Sequence, residues 1–290
     1  MKLSLGISRR SIVIAVAAVA TVISLGIGAN AALNKISDTR QAIRNIGSYG
    51  EQSDGRKDTV ARSRIALVIG NGHYPDAREP LSQPVNDARA LSAALRQDGF
   101  DVDIVENANK DDMRRAVERL KAKVTRDSVV MLFYGGYGIQ AGRESYMIPV
   151  DAAIWKEGDV RRHGTSIESL LGELKERGAR ASLVVLDASR RNPFERRFRT
   201  YSRGLAPIDA PQNALILSSA TPGKVIDDAR AENSVLVAEL LKNMDARGGD
   251  AEQIFTRTRI AVSRNTDGQQ VPTVSSSLIE DVRFGARSGG

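Results

Sequence analysis

Two short stretches place reactive side chains where apolar runs stop: YGGYG (134–138) and LDASR (186–190). The first sets Tyr137 between Gly136 and Gly138. An apolar β-forming run that ends in glycines reads as a buried strand delivering its last residues into an open loop. Such strand ends are where α/β proteins keep their chemistry. Several other chemistries are excluded. The chain has no cysteine, which removes disulfides, thiolate metal sites and cysteine nucleophiles together. Its two histidines, His73 and His163, stand in no H-x-x-x-H pattern or acidic cluster at ligand spacing, so no metal site is expected. IGNGHY (69–74) lacks the G-x-G-x-x-G spacing of a dinucleotide turn, and His73 within it reads as a surface or packing residue.

The elements that must position these stretches follow from periodicity. RIALVIG (64–70), FDVDIVE (100–106), SVVMLFYGG (128–136), ASLVVLDAS (181–189), NALILSSA (213–220) and VPTVSSS (271–277) read as strands. Between them, VNDARALSAALRQDG (85–99) carries Val85, Ala88, Leu91 and Leu95 on one helical face. KDDMRRAVERLKAKV (110–124) does the same with Met113, Val117, Leu120 and Val124. TSIESLLGELKERG opens a helix on a predicted capping box, Thr165 with Glu168, and NSVLVAELLKNM and DAEQIFTRTRIAVSRN add two more helices. Strands alternating with helices predict an α/β domain. Its sheet is expected to be mostly parallel, of about six strands, with helices on both faces and the site at the carboxyl ends of the strands.

Composition adds bounds. Lys and Arg number 42 against 35 Asp and Glu, a net charge of +7 that favours anionic partners without indicating nucleic acid. MKLSLGISRR carries Lys2, Arg9 and Arg10, and the chain then runs uncharged to Lys35. Residues 1–35 are therefore expected to be a signal peptide or an N-terminal transmembrane anchor, which places the rest in the periplasm or on an inner membrane facing it. Residues 36–63 are polar, without sustained periodicity, and read as a linker. SRRNPFERRFRTYSRG gathers Arg190, Arg191, Arg196, Arg197, Arg199 and Arg203 against Glu195. It reads as a solvated loop or as a contact for an anionic membrane surface.

The stretches also form a recognisable set. RIALVIGN, PVNDARALSAALRQDGFDV, MLFYGGYGIQ, YMIPVDA, VVLDASRRNPF, SRGLAPIDAP, SSATPGKVIDD and GQQVPTVSSSL resemble, in order, the caspase-like domain of bacterial metacaspases and orthocaspases. The resemblance implies a caspase-hemoglobinase-like three-layer sandwich over 64–282, with a p20-like part at about 64–200, a p10-like part at about 205–282 and a tail at 283–290. In that family the third-strand loop reads serine-glycine-histidine-glycine, and the fourth strand ends in aspartate-x-cysteine. The matching residues here are Gly135, Gly136, Tyr137 and Gly138, then Asp187, Ala188 and Ser189. Tyr137 and Ser189 thus stand where the resemblance places a histidine base and a cysteine nucleophile, with the Gly138 and Ser189 backbone at the oxyanion hole. Asp87 and Asp187 match the acids that receive an arginine or lysine side chain, and Gly135 replaces the pocket serine. Read as structure alone, Asp87 starts a helix and Asp187 caps a strand. The resemblance admits calcium and no other cofactor.

A phenol with a reference pKa of about 10 is protonated at neutral pH, and ionising it at pH 7 costs ~4 kcal/mol. A serine hydroxyl needs a base beside it, and this pairing does not offer one. The expectation is a catalytically impaired pseudopeptidase that binds a protein or peptide through basic side chains. Two alternatives stand beside it: a hydrolase using Ser189 with Tyr137, and a structural domain with an unused cleft.

Overall fold

A six-stranded sheet in the order β2-β1-β3-β7-β8-β9 organises the computed structural model, which describes residues 63–75, 80–190, 194, 204–225, 231–245 and 249–285. Its strands are β1 (Arg64–Gly70), β2 (Asp101–Glu106), β3 (Val129–Gly135), β7 (Ala181–Asp187), β8 (Ala214–Ser218) and β9 (Thr273–Ser276). All pair in parallel except β9, which runs antiparallel to β8. The central strands are near-continuous apolar runs because both of their faces are covered.

Alternation along each strand sorts the core. Ala66, Val68, Met131, Phe133, Leu183 and Val185 face one side, where they meet α1 (Gln83–Gln97), α5 (Val235–Asp245) and α6 (Ala251–Asn265). Leu67, Ile69, Leu132, Tyr134, Val184 and Leu186 face the other, against α2 (Lys110–Lys123) and α4 (Ile167–Glu176). The expected three-layer α/β arrangement is therefore present. Each large side chain held at zero exposure here, such as Leu67 or Phe133, contributes ~1.5–3 kcal/mol of burial. Edge strand β2 carries Asp101, Asp103 and Glu106, which pair with Lys123, Arg119 and Arg89 and discourage further strand addition.

Local signals explain the helix starts. Pro84 sits in the first turn of α1, where its missing N–H costs nothing, and the Asn109 side chain accepts the Asp112 N–H to cap α2. The capping box expected from Thr165 and Glu168 is not formed. Ser166 is the N-cap of α4, its Oγ accepting from the Ser169 N–H at 3.1 Å. Glu168 instead receives the Ser145 N–H on both carboxylate oxygens, at 3.0 Å each.

That contact ties α4 to a second, three-stranded sheet that periodicity did not reveal: β4 (Gly138–Ala141), β5 (Glu144–Met147) and β6 (Thr165–Ser166). Helix α3 (Glu157–His163) lies between β5 and β6 in the chain. Strands of four residues or fewer are too short to show a two-residue alternation against noise. The expected signal or anchor, and the linker up to residue 62, lie outside the described residues. Among the described residues no helix is long and apolar enough to cross a membrane.

Glu168→Ala should cost about 1–2 kcal/mol, because the amide of buried Ser145 loses its acceptor. Urea denaturation gives the loss. Hydrogen exchange should quicken at Ser145 well before it quickens in β3, whereas uniform quickening would mean that Glu168 supports the whole fold rather than the small sheet.

Candidate functional site

The ladder between β3 and β7 pairs Gly135 with Asp187, so the YGGYG and LDASR stretches leave the sheet side by side. The pairing continues past the strands. Gly136 donates its N–H to the Asp187 carbonyl at 3.2 Å, and Gly138 donates to the Ala188 carbonyl at 3.0 Å. On the other side the Asn71 N–H, just after β1, reaches the Gly135 carbonyl at 2.8 Å. Two glycines are required by crowding: a Cβ on Gly136 would lie 2.6 Å from Tyr74 Oη, and one on Gly138 2.9 Å from Ala188 Cβ.

Tyr137 is only 7% exposed and packs in a small apolar cluster with Tyr74, Ile139, Tyr146, Ile148 and Phe194. Its ring meets Tyr74 edge-on, with centroids 4.7 Å apart. Its backbone is gripped as well. The Tyr137 N–H donates to Tyr74 Oη at 3.1 Å, while its carbonyl accepts from the Ile148 N–H at 3.1 Å and lies 2.8 Å from Tyr134 Oη. Both phenols also reach the Ile148 carbonyl, at 3.0 and 2.9 Å. Burial pushes Tyr134 well above the usual phenol range and Tyr74 up to about 12, so near neutral pH both hold their protons and act as donors. Ser189, two residues beyond β7, is 1% exposed.

The expectation for Gly138 needs correction. Its amide donates to the Ala188 carbonyl, in continuation of the β3–β7 pairing, and in this arrangement is not free to serve an oxyanion. His73 lies exposed in the loop after β1, its N–H donating to Asn107 Oδ1, and His163 ends α3. Among the described residues no three His, Asp or Glu side chains gather as metal ligands. Among the described residues the two site acids, with Arg190 against one of them, do not make a calcium site.

Asp87 lies one turn inside α1, fully buried and facing inward, which corrects its reading as a helix-start residue. Its Oδ1 accepts from Asn233 Nδ2 at 2.9 Å and from the Ser234 N–H at 3.0 Å, at the entrance to α5. Asp187 is equally buried. Asp87 Oδ2 and both Asp187 oxygens accept no hydrogen bond among the described residues. Burial first, then the negative charge of Asp187, push the Asp87 carboxyl up to about 7 against the lowering effect of Asn233 and Ser234. The two expected pocket acids are thus brought within electrostatic reach of each other.

Sequence reasoning missed three contributors: Tyr74, Tyr134 and Arg190. Arg190, grouped with the basic loop, is 3% exposed and turned inward. Its guanidinium donates to the Asp187 carbonyl and, at 3.4 Å, to the Gly136 carbonyl, with Nη2 3.5 Å from Asp187 Oδ2. Its spacing of three residues from Asp187 was the available signal. The other arginines of that loop lie outside the described residues.

The caspase-domain family model matches residues 63–283, well over half of the 290-residue chain. The chain belongs to the caspase-domain family. It is also similar to the human mucosa-associated lymphoid tissue lymphoma translocation protein 1, at 25% identity over 158 residues, which is 54% of this chain and 19% of that protein. The mouse homologue matches at 25% over 158 residues, 18% of its length. The matched part spans about a fifth of these curated relatives. The family is one of cysteine peptidases, and Tyr137, Asp187 and Ser189 lie at or just past the carboxyl ends of β3 and β7.

Folding raises the Asp87 pKa above its unfolded value near 4, so the protonated carboxyl favours the fold. That contribution is fully present below about pH 4 and is lost as pH rises through about 7. Asp87→Asn keeps an acceptor for Asn233 and Ser234 and removes the charge. Its stability should be flat where wild type falls by up to ~1.4 kcal/mol per pH unit. Urea denaturation stepped from pH 4 to 8 measures this, and parallel curves for both proteins would place the titration elsewhere.

Proposed function

We propose that this domain is a catalytically impaired caspase-family member that binds a protein or peptide through an arginine or lysine side chain without cutting it. One observation carries the reading: a domain of a cysteine-peptidase family whose whole sequence holds no cysteine. Its thiol position is matched by Ser189 and its base position by Tyr137. The packing around Tyr137 supports the same reading. A general base must reach the reacting proton, and Tyr137 is a core side chain set edge-on against a second phenol. The engaged Gly138 amide removes a further part of the machinery.

The cleft acids support a binding role. Three buried carboxylate oxygens on Asp87 and Asp187 lack donors among the described residues, an arrangement that a basic side chain satisfies by charge-assisted hydrogen bonds. The uncharged run before Lys35 adds the proposal that binding takes place outside the cytoplasm.

Calorimetric titration with two peptides, identical except for arginine against norleucine, tests the binding role. Arginine should bind at least ~10-fold more tightly, the equivalent of ~1.4 kcal/mol. Asp187→Asn should erase most of that preference. Equal affinities for the two peptides in wild type would reduce both acids to structural parts.

A further inference from the structure

We infer that Arg190 is an internal occupant of the acidic cleft, a cation of this chain standing where the proposed function seats a partner's basic side chain. The inference rests on the reading of Asp87 and Asp187 as that cleft.

Three observations carry it. Arg190 is buried, and a guanidinium is kept from water only where acceptors receive it. Among the described residues it donates to both site stretches: to the carbonyl of Asp187 at the end of β7 and to the carbonyl of Gly136 just past β3. Its charge lies against Asp187, the same carboxylate that the pocket offers to a guest.

The contact with the Asp187 side chain is loose. At 3.5 Å it exceeds hydrogen-bond length, and both carboxylate oxygens remain without a hydrogen bond among the described residues. A bidentate fork would leave two short N–H···O bonds and no acceptor idle. Arg190 therefore offsets charge without locking the carboxylate, and a second guanidinium able to form the fork can compete with it. Arg190 is tethered only three residues away, so its effective concentration in the cleft is high, and a free guest pays that competition as lost affinity. Arg190 is in this sense a specificity-determining residue: it sets the balance that a guest must beat.

Ethylguanidinium, a copy of the arginine head, tests the inference on the full chain by calorimetry and thermal denaturation. Arg190→Ala should bind it at least ~10-fold more tightly than wild type, with ethylammonium as a weaker competitor. Arg190→Lys, which keeps the charge, should fold and bind it more weakly than Arg190→Ala. If Arg190→Ala does not fold unaided, ethylguanidinium should restore folding. Equal binding to wild type and Arg190→Ala, a folded Arg190→Ala that takes up none, or an unfolded one that ethylguanidinium does not rescue would each overturn the inference. The arginine-peptide titration of wild type separates this result from the fate of the cleft. A wild type that prefers arginine beside an Arg190→Ala that takes up no ethylguanidinium keeps the cleft and removes its internal occupant, whereas no guanidinium uptake by either protein removes both.

Discussion

Parallel pairing of β3 with β7, in the register that sets Gly135 opposite Asp187, is the constraint on which the site depends. The register is held by burial on both faces. A slip of one residue would turn Phe133 and Val185 away from α1 and α5 and present the opposite set to the wrong helices. Because that error would cost many buried side chains at once, the strand ends are fixed to within a residue. The hydrogen bonds from Gly136 and Gly138 to the Asp187 and Ala188 carbonyls extend the same register into the loops.

The core then reaches up into the place where chemistry is expected. Tyr74 and Tyr134 support the glycine loop through the Tyr137 backbone and the Ile148 carbonyl, and Tyr137 lays its ring on Tyr74. A residue in this position gains burial and a fixed backbone. It gives up the reach that a base requires, and a phenol is ordinarily already protonated near neutral pH. On the far side of the same strand ends the two acids are fully buried. Asp87 is tied to Asn233 and Ser234, while Asp187 is offset by Arg190. The site thus divides into a half that has joined the core and a half that retains unspent polarity.

Periodicity made the main sheet legible because its strands and helices are long enough to repeat. Leu91 and Leu95 on α1, or Met113 and Leu120 on α2, show their face within a few turns. The small sheet was not legible: GIQA and ESYM are four residues each and are paired by a turn at Gly142, with no sustained alternation. Thr165 and Glu168 matched a capping box by spacing, but the choice of Ser166 as cap and of Ser145 as the partner of Glu168 depends on the neighbouring strand. The site residues were named from the two stretches and from family resemblance, and their surroundings were not. Asn233 meets Asp87 from 146 residues away in the chain, and no local pattern announces such a pair. Arg190 looked like one charge among many in a basic loop, its spacing from Asp187 a weak signal, and its burial sets it apart.

The central claim is that this caspase-family domain holds peptides without cutting them. Mass spectrometry of a peptide mixture rich in arginine and lysine, incubated with wild type and with Ser189→Ala, addresses it most directly. The account predicts that every peptide is recovered whole with both proteins, at the level of buffer alone. Fragments ending in arginine or lysine that accumulate with wild type and vanish with Ser189→Ala would contradict it, since they would show Ser189 acting as a nucleophile.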